Sequence, residues 1–413
     1  MKILFFAHYL PDTNNNGGYN GGGWVSSLIE GLLNIQGIEI AVAFFERSSS
    51  EKPLIVNPRL SIYPMKTPEK SLMDRVRGQI QVWNYKTEEN SIKAHIVKMK
   101  QLVEEVKPDV IQVFGTEKYY GHIADEVNVP VFIHIQGILN PYLNAYLPPF
   151  ISLRSYYLQD YNIKKIHSRF MNIVFWRRDC LSELQILMKG KLYIGRTEWD
   201  KRVVSIFNQN AIYNYGSEIL RPVFYKASQR NPNSHLTIVS TISSPLYKGM
   251  DLVLKTAYIL KNNLGLEFEW KIFGLNEFRF VEKTCGIKAK DVNIVICGVA
   301  TAAGLREELL GASVYVHPSY IDNSPNSLCE AQLLGIPVVA TNVGGIPSLV
   351  KDGETGFLVP ANDPFQTAYL LKRLQEDTEL NITIGEQGKM VAEVRHNRER
   401  ITNDLIELYK SYL

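Results

Sequence analysis

Two carboxylates that could do chemistry, Asp322 and Glu330, stand eight positions apart in the second half of the sequence. Apolar and turn residues predict that Asp322 lies in a loop after a short strand and that Glu330 lies in a helix at 327–334. Parallel α/β sheets bind ligands beyond the carboxyl ends of their strands, so we expect both carboxylates to face one crevice. The backbone N–H groups of Asn326 and Ser327 open this helix, where a phosphate binds well.

A purely structural role for both acids stays open on these residues alone. Asp322 would then cap the helix, since Asp, Asn and Ser side chains all accept hydrogen bonds from the first helical N–H groups. Glu330 would form an ion pair on the surface. The sequence around the two acids distinguishes the ligand-binding interpretation from the structural one.

Composition places the chain among globular proteins with more than one domain. A chain of 413 residues is too long for one domain of ordinary size. A composition of 45% apolar and 21% charged residues is typical of a soluble protein. The four cysteines are scattered without a CxxC pattern, which argues against a zinc site or a disulfide framework and favours a reducing cytoplasm. The sequence lacks a run of about 18 apolar residues, so we expect no transmembrane span. We interpret the opening MKILFFAHYLP as a strand rather than a secretory signal.

Charge is distributed unevenly, although the whole chain carries a net charge of +3. Residues 1–230 contain 28 Lys and Arg against 21 Asp and Glu, whereas residues 231–413 contain 17 against 21. The excess of positive charge in the first half suggests an acidic or membrane-borne partner there, unless it is a chance feature of the surface.

Five short motifs surround the acid pair: HPS at 317–319, D-x7-E at 322–330, GIPVVAT at 335–341, GGIP at 344–347 and DGETGFLVP at 352–360. In this order they resemble the signature of the retaining family 4 glycosyltransferases (glycosyl transferases group 1) of the bacterial polysaccharide-biosynthesis type. The family carries E-x7-E. This chain departs from that pattern, because its first acid is Asp322, which is one methylene shorter than Glu.

The resemblance implies a GT-B fold, in which two Rossmann-like, doubly wound α/β domains face each other across a cleft. We expect an acceptor-side domain at 1–228, a donor-binding domain at 229–395 and a C-terminal helix at about 396–413 that crosses back to the first domain. Within the first domain, we expect residues 46–70 to be irregular and residues 71–106 to be helical.

The resemblance also implies roles for three charged residues. Lys248 occupies the position of the Lys in the family's GRLxxxKG motif, but the Arg of that motif is missing. Lys248 and the helix N-terminus would therefore compensate the negative charge of a leaving diphosphate. Glu330 would accept hydrogen bonds from both ribose hydroxyls, and Asp322 would hold sugar hydroxyls or the loop that carries them. We expect no metal and no cofactor, since the nucleoside diphosphate sugar is itself the substrate.

Backbone positions complete the predicted site. The glycine-rich loop after the first strand is similar to the family's amino-terminal glycines, which approach the donor phosphate, unless it is only a flexible surface loop. Glycines at the ends of two later strands would let a flat base lie against the backbone. The donor-binding candidates are Gly21, Gly22, Gly23, Gly274, Gly298, Val299, Asn326 and Ser327. Gln136 is the acceptor-side candidate, whereas His134 is expected to be packed within its strand.

Residues 141–180 mix aromatic and basic side chains. Such a mixture could bind single-stranded nucleic acid, dock on an anionic membrane or a lipid-linked acceptor, or form a helical excursion packed on its own domain. We expect no nucleic-acid partner. Peripheral contact with the inner face of the membrane stays open beside a cytoplasmic location.

The resemblance thus implies a retaining hexosyltransferase that moves a sugar from a nucleoside diphosphate sugar to a hydroxyl of a glycan or lipid-linked acceptor, in cell-surface glycan synthesis. One alternative is a sugar-nucleotide epimerase with the same fold, which would need acid–base residues on both sides of the sugar. The DNSPN sequence at 322–326 argues against it. The other alternative is a non-catalytic two-domain sugar-binding protein, for which an export signal is expected.

Overall fold

The computed structural model describes residues 1–8, 23–47, 51–83, 89–227, 230 and 235–413, and for residues 81–83 the backbone alone. The described chain forms two sheets whose strands alternate with helices. Gly21 and Gly22, two of the predicted donor-binding glycines, lie outside the described residues.

The first sheet is built mainly of short, apolar and fully buried strands. Its strands are β1 (Lys2–Phe6), β2 (Glu39–Glu46), β3 (Leu54–Asn57), β4 (Leu60–Lys66), β5 (Val110–Phe114), β6 (Val131–His134), β7 (Leu192–Gly195) and β8 (Ile212–Tyr215). They lie in the order β3-β4-β2-β1-β5-β6-β7-β8, and each pair is parallel except β3 with β4. Covered parallel strands carry continuous apolar runs, as KILFF in β1 does.

The expectation that residues 46–70 are irregular is wrong, because this region contains β3 and β4 at the edge of the sheet. The prolines of this region disfavour strands, so the sequence did not predict strands here. Pro64 lies within β4 but beyond Leu60–Ile62, the part of β4 that pairs with β3, so its missing N–H costs no bond to that neighbour.

The helices of the first half are α1 (Gly23–Leu33), α2 (Leu72–Trp83), α3 (Glu89–Val106), α4 (Leu139–Asn144), α5 (Leu153–Tyr157), α6 (Ile163–Lys189) and α7 (Glu198–Phe207). The predicted helical region 71–106 is described as two helices, α2 and α3, with residues 84–88 outside the described part. Capping side chains determine the residue at which several helices begin. The side chains of Thr197 and Asp200, for example, form a reciprocal capping box at the start of α7.

The second sheet is entirely parallel. Its strands are β9 (Leu236–Thr241), β10 (Phe268–Phe273), β11 (Ile294–Gly298), β12 (Val314–His317), β13 (Val338–Thr341) and β14 (Phe357–Val359), in the order β11-β10-β9-β12-β13-β14. The helices that follow these strands are α8 (Met250–Tyr258), α9 (Arg279–Cys285), α10 (Ala302–Leu310), α11 (Asn326–Leu333), α12 (Pro364–Glu376), α13 (Thr378–Arg395) and α14 (Arg398–Lys410). Short 3-10 turns lie at Tyr119–Asp125, Pro222–Tyr225, Ala289–Val292 and Ile346–Ser348, and a π turn extends α8 at Ile259–Asn263.

The last helix, α14, returns to the first sheet. Ile401, Leu405 and Tyr409 repeat every four positions, so they form one face of α14, and all three are buried in the same core as Trp24 and Leu28 of α1. Burying an apolar side chain of this size contributes about 1.5–3 kcal/mol. The predicted crossing of the C-terminal helix to the first domain is confirmed.

The excursion between β6 and β7 does not pack only on the first sheet. Ile151, Tyr156 and Ile173 lie in one apolar core with Ile238 of β9 and Leu246 of the turn that follows β9. Helices α4 to α6 therefore bridge the two halves, which corrects the interpretation of 141–180 as an excursion packed on its own domain. Within the described part of the chain, every helix is too short or too polar to cross a bilayer.

Candidate active site

Asp322 lies in the loop between β12 and α11, beyond the carboxyl end of the second sheet. Its Oδ2 accepts a hydrogen bond from Lys248 Nζ at 2.5 Å and lies 2.8 Å from His317 Nε2. Its Oδ1 accepts a hydrogen bond from Tyr142 Oη at 3.0 Å. Burial acts to raise the pKa of Asp322, but the Lys248 ammonium and the His317 ring together hold this pKa well below its ordinary value. The carboxylate is therefore ionised.

The interpretation of Asp322 as a helix cap is wrong. Helix α11 begins at Asn326 with Pro325 at its N-cap position, and none of the described side chains caps it. The first hydrogen bonds of the helix run from the N–H groups of Leu328 and Cys329 to Pro325 O, at 3.0 and 3.2 Å. The N–H groups of Asn326 and Ser327 precede them, so they belong to the open end of the helix.

Lys248 is held close to Asp322 by the turn that follows β9. Gly249 takes φ +74°, and a Cβ there would lie 2.0 Å from Pro318 O. A glycine is therefore required at position 249, next to the lysine. The side chains of Lys248 and Asp322 are only 15% and 8% exposed, so the pair is strongly shielded from water.

Glu330 forms a buried ion pair with Arg221, which lies in the link after β8. Arg221 Nε and Nη2 each donate to a different oxygen of Glu330, both at 2.7 Å. The Glu330 side chain is 1% exposed, so the interpretation of Glu330 as a surface ion pair is wrong. Burial raises the pKa of Glu330, and the guanidinium of Arg221 opposes this shift.

Ser327, in the first turn of α11, lies between Asp322 and Glu330 in the sequence. Tyr315 Oη, in β12, donates to Ser327 Oγ at 2.8 Å. Both Lys248 and Asp322 act electrostatically on the Tyr315 hydroxyl. Glu330 follows Ser327 by three positions, so both lie on one side of α11. Lys248, Asp322, the start of α11 and Glu330 are thus successive parts of one region.

The predicted glycines of the second sheet also come together. Gly274 and Gly298 end the neighbouring strands β10 and β11, and Gly274 N donates to Gly298 O at 2.7 Å. Both have positive φ, +92° and +67°, and a Cβ on Gly274 would lie 2.8 Å from Ile242 O. Val299 follows with its side chain 58% exposed. This backbone lies beside β9, the strand that leads to Lys248.

First-domain candidates reach the site through different contacts. Gly23 begins α1, where a Cβ would lie 3.2 Å from Arg221 Cγ, so this glycine borders the Arg221–Glu330 pair. Gln136 contacts the Asp322 loop through its backbone, because Asn323 Nδ2 donates to Gln136 O at 3.1 Å. The expected packing of His134 is confirmed, since it is 2% exposed and burial lowers its pKa to about 3.

Sequence reasoning missed the residues from the first half that hold the Asp322 loop, which are Tyr142, Thr197 and Asp200, and also Arg221, which holds Glu330. Thr197 Oγ1 donates to Asn323 Oδ1 at 2.7 Å, and Asn323 Nδ2 donates to Asp200 Oδ2 at 3.0 Å. These partners lie more than 100 positions from their targets, and no local pattern marks them. For Arg221, the available signal was a basic residue directly before Pro222 in the link between the two sheets.

Within the described residues, one buried group, Glu218, Cys329 and His396, offers metal-ligand atoms within 4.8 Å of one another. Its carboxylate already has protein partners. Ser324 Oγ donates to Glu218 Oε1 at 2.6 Å, and Arg196 Nε lies 3.6 Å from Oε2. Burial acts to raise the pKa of Glu218, but Arg196, His396 and the hydrogen bond from Ser324 together outweigh it, and the pKa falls to about 2. The guanidinium thus supplies the positive charge that this carboxylate requires, and all four cysteines are free.

Comparison with known proteins finds a family match in the second half of the chain. Residues 233–377 match the family model described as "Glycosyl transferases group 1". The chain is 27% identical over 267 residues to a protein named as the colanic acid biosynthesis glycosyltransferase WcaL of Salmonella typhimurium, covering 60% of this chain and 64% of that protein. It is 35% identical over 101 residues to the capsular polysaccharide biosynthesis glycosyltransferase CapM of Staphylococcus aureus, covering 24% and 27%. The matches thus span less than two thirds of these relatives.

Solved structures are similar over nearly the whole chain. The sucrose-phosphate synthase of Thermosynechococcus elongatus superimposes with a TM-score of 0.70 at 14% identity, covering 99% of this chain and 98% of that one. HepE of Anabaena, solved in complex with UDP and glucose, gives a TM-score of 0.63 at 15% identity with complete coverage of both chains. The predicted GT-B fold is confirmed.

Proposed function

We propose that the chain, whose residues 233–377 match the family model "Glycosyl transferases group 1", transfers a sugar from a nucleoside diphosphate sugar to a hydroxyl acceptor. The observation that carries this proposal is the convergence of Lys248, Asp322 and the N-terminus of α11 at the carboxyl end of the second sheet. These groups have the charge and the polarity that a sugar diphosphate requires. The named functions of WcaL and CapM support synthesis of a surface polysaccharide as the process.

The Lys248 ammonium and the first N–H groups of α11 would stabilise the leaving diphosphate. Lys248 donates to Asp322 at 2.5 Å, next to the open end of the helix. A charge-assisted hydrogen bond to a phosphate oxygen contributes about 1.5–3 kcal/mol, and the helix dipole adds to it. These two sources neutralise the leaving group without a metal ion, so we propose a metal-independent reaction.

Glu330 would bind the ribose while Arg221 orients it. An ionised carboxylate has about four lone-pair sites, and the guanidinium of Arg221 uses one on each oxygen. The remaining sites can accept the two vicinal ribose hydroxyls. Arg221 therefore adds a role that the sequence did not predict: it opposes the effect of burial on the pKa of this carboxylate and fixes it in one plane.

Asp322 would hold hydroxyls of the transferred sugar, and the backbone at Gly274, Gly298 and Val299 would lie against the base. We propose retention of configuration through front-face attack. In this reaction the bond from the anomeric carbon to the diphosphate oxygen breaks, the acceptor oxygen bonds to the same face of that carbon, and a phosphate oxygen takes the acceptor's proton. Retention follows from the family resemblance, and the spacing of the acids does not establish it.

We also propose that the acceptor is a glycan or a lipid-linked molecule, reached at the face of a membrane. Helix α2 exposes Leu72 and Met73 by 80% and 81%, and Val76 and Ile80 by 51% and 54%. Arg75 and Arg77 are exposed on the same helix. Apolar side chains flanked by cations are typical of helices that lie in an anionic interface.

Nucleotide release from a panel of UDP-, GDP- and ADP-sugars, measured with and without a glycolipid extract as acceptor, tests the transferase function. We expect one donor to release nucleotide faster when the acceptor is present, with radiolabelled sugar appearing in the lipid or glycan fraction. An epimerase would change the sugar while the nucleotide stays attached. A binding protein would hold the donor without turnover. Either result would overturn the proposal.

A further inference from the structure

Tyr142 is the point at which the first half of the chain touches the Asp322 carboxylate. It lies in α4, directly after β6, and its hydroxyl donates to Asp322 Oδ1 at 3.0 Å. The same hydroxyl accepts a hydrogen bond from the Asn323 N–H at 3.2 Å. One phenol oxygen thus contacts both the side chain of the acid and the backbone that follows it.

The two oxygens of Asp322 are held by different halves of the molecule. Lys248 and His317, both in the second half, contact Oδ2, whereas Tyr142 contacts Oδ1. The next residue, Asn323, is bound on its side chain by Thr197, Asp200 and the Gln136 carbonyl, all from the first half. The loop that carries the acid is therefore held from both halves, and its contacts to Asp322 Oδ1 and to the Asn323 side chain exist only when the two halves meet.

Aromatic side chains of the first half also pack on the turn that carries Lys248. The ring of Tyr142 meets that of Tyr247 edge to face, with centroids 5.6 Å apart, and Tyr247 directly precedes Lys248. Tyr146, one turn further along, packs against Tyr247 at 6.5 Å and against Trp176 of α6 at 4.8 Å. The aromatic residues of 141–180 thus support the loops of both Asp322 and Lys248.

We propose, resting on the transferase function above, that Tyr142 is a positioning residue that locks the Asp322 carboxylate in its sugar-binding orientation when the two halves of the protein close. Tyr142 contacts one oxygen of the Asp322 carboxylate and Lys248 contacts the other, so the carboxylate is held in one orientation. A Glu at position 322 would extend the carboxylate by one methylene toward this hydroxyl, which is already at hydrogen-bonding distance. The shorter acid and Tyr142 therefore fit as a pair.

The Tyr142→Phe variant tests this role, because it keeps the ring and removes only the hydroxyl. We expect kcat with the best donor to fall about 10- to 100-fold, the loss for one hydrogen bond to a charged group, while affinity for the free nucleoside diphosphate changes less than about twofold. Tyr146→Phe is the matched control. It keeps the ring that packs on Tyr247 and removes only a hydroxyl that is bonded to Tyr156 at 3.1 Å, so it should leave kcat unchanged.

Hydrogen exchange provides a measurement that does not depend on catalysis. The Asn323 N–H donates to both Tyr142 Oη and Asp322 Oδ1, each at 3.2 Å. Tyr142→Phe removes the first acceptor and frees the carboxylate that supplies the second, so the Asn323 amide should exchange faster in Tyr142→Phe than in wild type and Tyr146→Phe. Should no donor turn over in wild type, the transferase function fails, and exchange at Asn323 alone decides for or against the lock. The proposed role of Tyr142 would be wrong if the Asn323 amide of Tyr142→Phe exchanged at the wild-type rate. It would also be wrong if Tyr142→Phe lost no more kcat than Tyr146→Phe. A further check is Asp322→Glu, whose activity Tyr142→Phe should partly restore; strictly additive losses would count against the pairing.

Discussion

Arg221 and Glu330 form a two-point ion pair between the link and helix α11, with both N–O distances at 2.7 Å. Glu330 is almost fully buried and Arg221 is 18% exposed, so neither charge has much water to compensate it. The pair joins the segment that connects the two sheets to the carboxylate that we assign to the ribose. Donor binding and the geometry of the link are therefore expected to depend on the same contact.

Replacing Glu330 by Gln should weaken both donor binding and folding. The amide cannot accept from Arg221 and two ribose hydroxyls as the carboxylate does, so we expect donor affinity to fall about 10- to 100-fold. It also leaves the guanidinium without its charge partner, at a cost of about 3 kcal/mol in the free energy of unfolding. Calorimetric titration with the donor and urea unfolding measure the two effects.

Two controls accompany the Glu330 variant. Glu354→Gln makes the same chemical change in an exposed ion pair with Lys351 and should alter neither quantity. Cys329→Ser changes the neighbouring residue of α11 and should have little effect on donor affinity or turnover. Full activity of Glu330→Gln at both limiting and saturating donor would refute the ribose role.

Replacing Lys248 by Ala should reduce affinity for phosphate in particular. The variant loses one charge-assisted contact to the diphosphate, which corresponds to a decrease in affinity of about 10- to 100-fold for a nucleoside diphosphate. Binding of the nucleoside without phosphates should be unchanged, because base and ribose are held elsewhere. Turnover should fall as well. An equal loss of affinity for nucleoside and nucleoside diphosphate would mean that Lys248 acts on the fold of the pocket and not on the phosphate.

The pairing of Asp322 with Lys248 also predicts how stability depends on pH. Because the folded pKa of Asp322 is depressed, its contribution to stability is complete above the unfolded value of about 3.9 and is lost as the pH falls through the lower folded value. Lys248→Met removes the main group that depresses this pKa. The loss of unfolding free energy between about pH 5 and pH 3 should therefore be smaller in Lys248→Met than in wild type.

Urea unfolding at several pH values measures this slope. Lys351→Met removes the cation of an exposed pair whose side chains are 71% and 59% exposed, and it should keep the wild-type slope. Identical slopes in wild type and Lys248→Met would show that Lys248 does not control the ionisation of Asp322.

What the sequence could predict depended on distance along the chain. The strand, the loop with Asp322, the start of α11 and the lysine before Gly249 each lie within short motifs, and the structure forms these elements within a residue of the predicted bounds of the helix. Tyr142 and Arg221 lie 180 and 109 positions from the acids that they contact. Such pairs exist only after the two sheets face each other, so a single sequence contains no local signal for them.

The exposed apolar face of α2 predicts binding to an anionic membrane. The double variant Leu72→Glu/Met73→Glu replaces two apolar residues of this helix that are 80% and 81% exposed with groups that anionic lipids repel. We expect wild type to sediment with vesicles that contain about one third phosphatidylglycerol and not with pure phosphatidylcholine, and the variant to lose this binding at least fivefold. Met390→Glu/Val394→Glu is the matched control, because it adds the same charge at side chains that are 59% and 60% exposed on α13. If both double variants lose vesicle binding equally, net charge rather than the α2 surface governs it, and the proposed docking face is wrong.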